Sequence, residues 1–122
     1  MQGSYKDLKV YVKSYKAAKA IYLNVASKFP SEEKHGLTDQ IKRASISIPL
    51  NIAEGYGKGD SKKEFVRFLN MARGSANEVL VILEFAKDLG YIENEDWQKA
   101  TEAYEEIGKM LTGLINSQKV ES

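Results

Sequence analysis

A chain of 122 residues has room for one domain, and 43% hydrophobic residues, including 4 Phe, 7 Tyr and 1 Trp, give that domain a core of its own. The absence of cysteine excludes disulfides, thiolate metal sites and cysteine nucleophiles together. The net charge of +1 conceals a split: Met1 to Ser75 hold 14 basic against 7 acidic side chains, Ala76 to Ser122 hold 4 against 10, so the chain offers either a basic surface for an anionic partner or halves that attract each other.

Four helices are predicted, roughly over 6–29, 37–57, 61–89 and 94–118. In the first, Leu8, Tyr11, Tyr15, Ala18, Tyr22, Val25 and Phe29 alternate in steps of three and four, the spacing of one helix face. Pro30 ends it by forcing the preceding residue out of the helical region. The second carries Leu37, Ile41, Ala44, Ile48 and Ile52. Pro49 falls inside it, removes one backbone bond and predicts a kink. Ile46, Ile48 and Leu50 alternate like a strand, but the helical period on both sides decides against one.

The third helix follows Gly55-Tyr56-Gly57-Lys58-Gly59-Asp60. Ser61-Lys62-Lys63-Glu64 reads as a capping box, in which the serine hydroxyl accepts from the amide three residues on and Glu64 reaches back. Its stripe is Phe65, Leu69, Ala72, Ala76, Val79, Leu83 and Ala86, and Gly90 serves as a left-handed cap. Asn94 is placed to cap the fourth, whose stripe is Trp97, Ala100, Tyr104, Ile107, Leu111 and Leu114. Glu95 and Asp96 in its first turn, and Lys119 near its end, suit the helix dipole. Short connections between long helices make neighbours antiparallel, so the expected fold is an all-α, up-and-down four-helix bundle filling residues 1–122. The opening residues carry no apolar signal core, and no apolar run approaches the ~20 residues that span a bilayer. A cytoplasmic protein is expected.

Catalytic and cofactor chemistry finds little to stand on. A di-iron bundle needs Glu-x-x-His on two helices; this chain has one histidine, and Glu32-x-x-His35 sits in a turn. Nucleophilic catalysis needs an activating base, and no spacing brings His35 to a particular serine. Gly55-x-Gly57-x-Gly59 lacks the Gly-Lys-Ser/Thr end and the preceding strand of a phosphate loop. It is read first as a flexible turn. Lys58, Lys62 and Lys63 beside the third helix's N-terminus keep phosphate binding open. No enzyme activity, metal or cofactor is expected.

The run Gly-Leu-Thr-Asp-Gln-Ile-Lys-Arg-Ala-Ser-Ile-Ser-Ile-Pro-Leu-Asn-Ile-Ala-Glu-Gly-Tyr-Gly from Gly36, followed by Glu64-Phe65-Val66-Arg67-Phe68-Leu69-Asn70-Met71-Ala72-Arg73-Gly74-Ser75-Ala76-Asn77-Glu78, resembles the bacterial four-helix bundle family of 23S rRNA intervening-sequence proteins. Members are encoded in insertions within large-subunit ribosomal RNA genes or stand alone, and some carry the name S23 ribosomal protein. The resemblance extends from Tyr5-Lys6-Asp7-Leu8 to Leu89-Gly90-Tyr91-Ile92, and the segment Ser47 to Gly55 is its most specific part. It implies ring-like homopentamers and no catalysis. It also implies similarity to the accessory proteins of diversity-generating retroelements, which bind nucleic acid and a reverse transcriptase.

If the second and third helices form a hairpin about Gly59 and Asp60, Glu54 comes near Arg67 and Arg43 near Glu78, two expected ion pairs. Ser45 and Ser47 come near Gly74 and Met71, where a hydroxyl could compensate the carbonyl freed by Pro49. Cations that replace phosphate counterions are expected at Lys42, Arg43, Lys58, Lys62, Lys63, Arg67 and Arg73. A second cationic stripe, Lys6, Lys9, Lys13 and Lys16, either meets phosphate or pairs with Glu95, Glu102, Glu105 and Glu106. Most Tyr and Phe are assigned to core stripes, which leaves no evident platform for stacking bases. The expected function is a non-catalytic, oligomeric scaffold for RNA or DNA; the alternative is a module that docks a polymerase or processing enzyme.

Overall fold

The computed structural model describes residues 3–59 and 61–118; Asp60, Lys119 and the last residues of both termini lie outside the described residues. Four helices form the bundle, with no strand among the described residues. Helix α1 spans Lys9–Ala20 and runs on through a π turn, Ile21–Val25, and a 3-10 turn, Ala26–Lys28. Helix α2 spans Leu37–Tyr56, α3 Lys62–Asp88 and α4 Asn94–Ser117. A short 3-10 turn, Tyr5–Asp7, precedes α1 and is closed by a capping box the sequence reading missed: Ser4 accepts from the backbone of Lys6 while Asp7 accepts from the amide of Ser4.

Each helix packs on its sequence neighbours, and α4 returns to α1. No contact joins α1 to α3 among the described residues, so those two stand diagonally across the bundle. The stripes expected on α2, α3 and α4 enclose the core: Ile41, Ile48, Ile52, Leu69, Val79, Leu83, Tyr104, Ile107 and Leu111 are all but fully buried. Burial on this pattern removes apolar surface from water along the length of the bundle, the main stabilising term for such folds.

Helix α1 departs from expectation. Its buried residues are Val10, Ser14, Ala18, Ile21 and Val25, while Tyr15 and Tyr22 of the expected stripe are exposed. Two apolar stripes overlap on this helix, and the bundle takes the one made of small and branched side chains. Close packing between helices favours those over large rings carrying a polar hydroxyl. The hydroxyl of Ser14, buried on this stripe, turns back to the carbonyl of Tyr11, which satisfies it without a partner from another helix.

Pro49 is buried inside α2, which continues to Tyr56. The Ser47 hydroxyl does not compensate the carbonyl freed by the proline; it meets the Ala44 carbonyl and the Ser75 hydroxyl across the α2/α3 interface. Ser47 was expected opposite Met71, so the helices are displaced by about one turn from the expected register. Gly55 sets their approach: a Cβ there would lie 2.6 Å from the Cβ of Phe68. Ser61 caps α3 by accepting from the amide of Glu64, but Glu64 turns to Arg67 in place of completing the box. Gly90 adopts φ +77, as a left-handed cap requires. Asn94 does not cap α4; the cap position falls to Glu93, which makes no side-chain capping bond.

Candidate nucleic-acid interface

The tip of the α2/α3 hairpin gathers the first group of cations. Helix α2 ends at Tyr56, and Gly59 turns the chain with φ +68, a left-handed conformation that disfavours a side chain. Gly55 and Gly59 thus have structural roles, which accounts for most of the glycine pattern without a phosphate loop. Lys58, Lys62 and Lys63 are exposed around this turn, and none has a carboxylate within 4.0 Å among the described residues. The Lys58 ammonium lies 5.5 Å from the centre of the Phe68 ring, and the Arg67 guanidinium 4.6 Å from the same ring.

The other four expected cations are engaged. Arg67 forms an ion pair with Glu64 at 3.0 Å, and the hydrogen bond holds the Glu64 carboxyl below the usual range. Arg43 pairs with Asp39 at 3.0 Å. The expected pairs Glu54–Arg67 and Arg43–Glu78 are absent from the ion pairs of the described residues. A carboxylate three or four residues away on the same helix is within reach whatever the register across the interface, and it wins. Glu54 is still near enough to favour the charged form of Arg67. Arg73 is half-buried and bridges two helices, donating to Thr112 at 3.0 Å and to Asn70 at 2.7 Å. Lys42 lies away from the tip, 5.0 Å from the Tyr22 ring. Of the seven residues, Lys58, Lys62 and Lys63 surround the turn with the paired Arg67 beside them over the Phe68 ring, while Lys42, Arg43 and Arg73 lie elsewhere.

Lys6 in the opening 3-10 turn and Lys9 and Lys16 on α1 are exposed, and Lys13 is half-buried. None pairs with Glu95, Glu102, Glu105 or Glu106 of α4 among the described residues; the one ion pair joining α1's end to α4 is Lys28–Asp96. Ion pairing with α4 therefore does not occupy this stripe within one chain, among the described residues. No group of three His, Cys, Asp or Glu side chains among the described residues is arranged to hold a metal. No helix among the described residues is long and apolar enough to cross a membrane.

Sequence reasoning missed an apolar surface groove. Between α1 and α2 lies an open groove of about 570 Å³, lined by Tyr11, Tyr15, Tyr22, Ile46, Pro49 and Leu50 among others, with Lys19 its one charged residue. Leu23 and Leu50 stand at its mouth, 70% and 61% exposed. Tyr11 stacks on Tyr15 with ring centres 6.0 Å apart. Its phenol is pushed above the ordinary value by burial and by its neighbours Tyr5 and Tyr15. The exclusion of aromatic surfaces is thus corrected: Tyr15 and Tyr22 face out. The signal was present in the sequence as surplus. Helix α1 carries Val10, Ala17 and Ile21 beside its tyrosines, and α2 carries Ile46 and Leu50 beside Ile48 and Ile52. Each has more apolar residues than one stripe can bury.

Against known proteins, residues 6–113 match the family described as 23S rRNA-intervening sequence protein. A solved structure from Bacteroides thetaiotaomicron VPI-5482, described as a protein with unknown function from the S23 ribosomal protein family, is 31% identical. It superposes with a TM-score of 0.77 over 87% of this chain and 97% of that one. No curated protein matches the chain.

Proposed function

Because the chain belongs to the 23S rRNA-intervening sequence protein family, we propose that it is a non-catalytic, cytoplasmic, homo-oligomeric scaffold that holds RNA or DNA by the phosphate backbone. The observation that carries the proposal is the trio Lys58, Lys62 and Lys63, exposed at one tip with no ion pair among the described residues. Exposed cations release phosphate counterions without breaking an internal pair. The amides of Lys62 and Lys63 at the start of α3, which have no helical partners, point the same way; that of Glu64 is taken by Ser61. The stripe Lys6, Lys9, Lys13 and Lys16 adds a second row of charge, and copies arranged around a ring, a homopentamer as the family resemblance implies, would raise the local potential of both. Contacts of this kind read the backbone and not the bases.

Equilibrium binding tests it. Nuclease-treated protein freed of nucleic acid is titrated with single-stranded and duplex RNA and DNA at several salt concentrations. The proposal requires binding at low ionic strength that weakens linearly on a logarithmic salt scale, by about 0.9 per phosphate engaged on a duplex. Binding that is absent at low salt, or indifferent to it, overturns the proposal.

The apolar groove favours a second reading, in which the bundle docks another polypeptide such as a polymerase or processing enzyme. A stoichiometric protein partner retained after nuclease treatment distinguishes it.

A further inference from the structure

We infer that the α1/α2 groove seats a second copy of this chain, and that the outer ridge of that copy's α3 is what enters it. The inference rests on the homo-oligomer proposed above and names the two surfaces that make it.

The ridge is a second apolar feature outside the core. Val81, Phe85 and Leu89 recur every four residues on the side of α3 turned from the bundle, and each is more than half exposed. They span ~12 Å at 1.5 Å per residue, against ~16 Å for the groove between Tyr11 and Tyr22. A convex helical row and a concave helical trough of matching length suit helix-in-groove docking. Contiguous apolar surface of this kind on a soluble bundle marks an interface.

Charge selects the occupant. The groove lining holds one ionised side chain, Lys19, and Lys42 stands over the Tyr22 ring at its edge. The shallow pockets along the ridge are lined by Glu78, Glu84 and Asp88 and by no cation. None of these five makes an ion pair among the described residues. An apolar trough with a basic edge and an apolar ridge with acidic flanks are complementary, and like surfaces brought together would repel.

Position sets the symmetry. Helix α3 lies diagonally across from α1, so a chain cannot place its own ridge in its own groove. A contact between two unlike surfaces is head-to-tail: each subunit offers one groove and one ridge, and both stay open at the ends until a ring closes.

The test uses light-scattering mass of nucleic-acid-free protein, which reads assembly independently of phosphate binding. Leu50→Asp disables the groove and Phe85→Asp the ridge, both at exposed positions, with circular dichroism confirming the helices. Wild type is expected at several times the 13.7 kDa chain mass and each variant alone at one chain. An equimolar mixture of the two variants retains one intact groove–ridge pair and is expected at two chains and no more. Lys19→Glu is expected to weaken wild-type assembly at least tenfold, and Glu84→Lys/Asp88→Lys on the partner to restore it. A wild type that assembles while either variant keeps its mass overturns the groove–ridge contact and leaves the oligomer standing. Loss with Leu50→Asp but not Phe85→Asp means groove against groove and overturns it too. A monomeric wild type overturns the oligomer and this inference together.

Discussion

Gly55 lies against Phe68 so closely that the first carbon of any side chain at Gly55 would stand 2.6 Å from the Phe68 Cβ. The neighbouring atom belongs to the rigid base of a side chain on α3 and cannot swing aside. Gly55→Ala improves helix propensity by up to ~1 kcal/mol, but it must separate α2 from α3. Overpacking costs typically about 1–3 kcal/mol. The expected outcome in urea denaturation is a net loss of about 1–2 kcal/mol; a gain would mean the interface is looser than described.

Ser47 and Ser75 share a hydrogen bond across the same interface. Removing either hydroxyl alone leaves its partner half-buried with one fewer contact, so a double-mutant cycle of Ser47→Ala and Ser75→Ala is expected to show a coupling of about 1 kcal/mol. Strict additivity would show that the two hydroxyls act independently, Ser47 through its bond to Ala44 alone.

Tyr104 is buried with a hydroxyl that finds no partner among the described residues. Burial pushes its phenol far above the ordinary value. Tyr104→Phe removes the polar atom and keeps the ring. Since a buried unsatisfied group costs about 1–3 kcal/mol, the variant is expected to match the wild type or exceed it by about 1 kcal/mol. A loss of that size would reveal a bond to the hydroxyl that the structure does not contain.

Glu33 ties two turns together: its carboxylate accepts from the amide of Leu37 at the start of α2 and from the Tyr91 hydroxyl beyond α3. The Leu37 bond, then the Tyr91 bond, hold its pKa below the ordinary 4.5. A depressed folded-state value contributes stability that is complete above the unfolded value and is lost as the pH falls through the folded one. Urea midpoints measured from pH 7 down to pH 2 are expected to fall less steeply in Glu33→Gln than in wild type below pH 4.5. Parallel curves would show that the bonds do not depend on the charge.

The lysines at the hairpin tip and the paired arginines are expected to separate in nucleic-acid binding. Replacing Lys58, Lys62 and Lys63 by Gln together should flatten the salt dependence by about 2 to 3 on a duplex. Arg43→Gln should change it by less than half a unit, because Arg43 is already paired with Asp39. Equal effects at the two sites would place the phosphate path elsewhere.

Most of the fold was legible because the stripes that the spacing picks out on α2, α3 and α4 are the ones that enclose the core, although α2 and α3 carry further apolar residues outside it. Helix α1 was not, since periodicity measures spacing and says nothing of which of two overlapping stripes the neighbours will accept. The lysines at the tip were legible from their flanking glycines and cap. The arginines were misassigned because a hairpin register read from its turn is uncertain by a helical turn, whereas Asp39 and Glu64 lie within reach in sequence. Neither the groove nor the α3 ridge has a local motif; each is the remainder left after the core is filled.

The π turn at Ile21–Val25 carries Tyr22 and Leu23, both of which line the groove. A wide turn accommodates one more residue than an α-helical turn and leaves the flanking segments in phase. Val10 and Ser14 before it and Val25 and Phe29 after it stay on the inner side. The same turn thus serves two surfaces: Ile21 and Val25 go to the interior, and Tyr22 and Leu23 to the groove. A substitution at Tyr22 or Leu23 would alter what the surface can grip while leaving the bundle as it was.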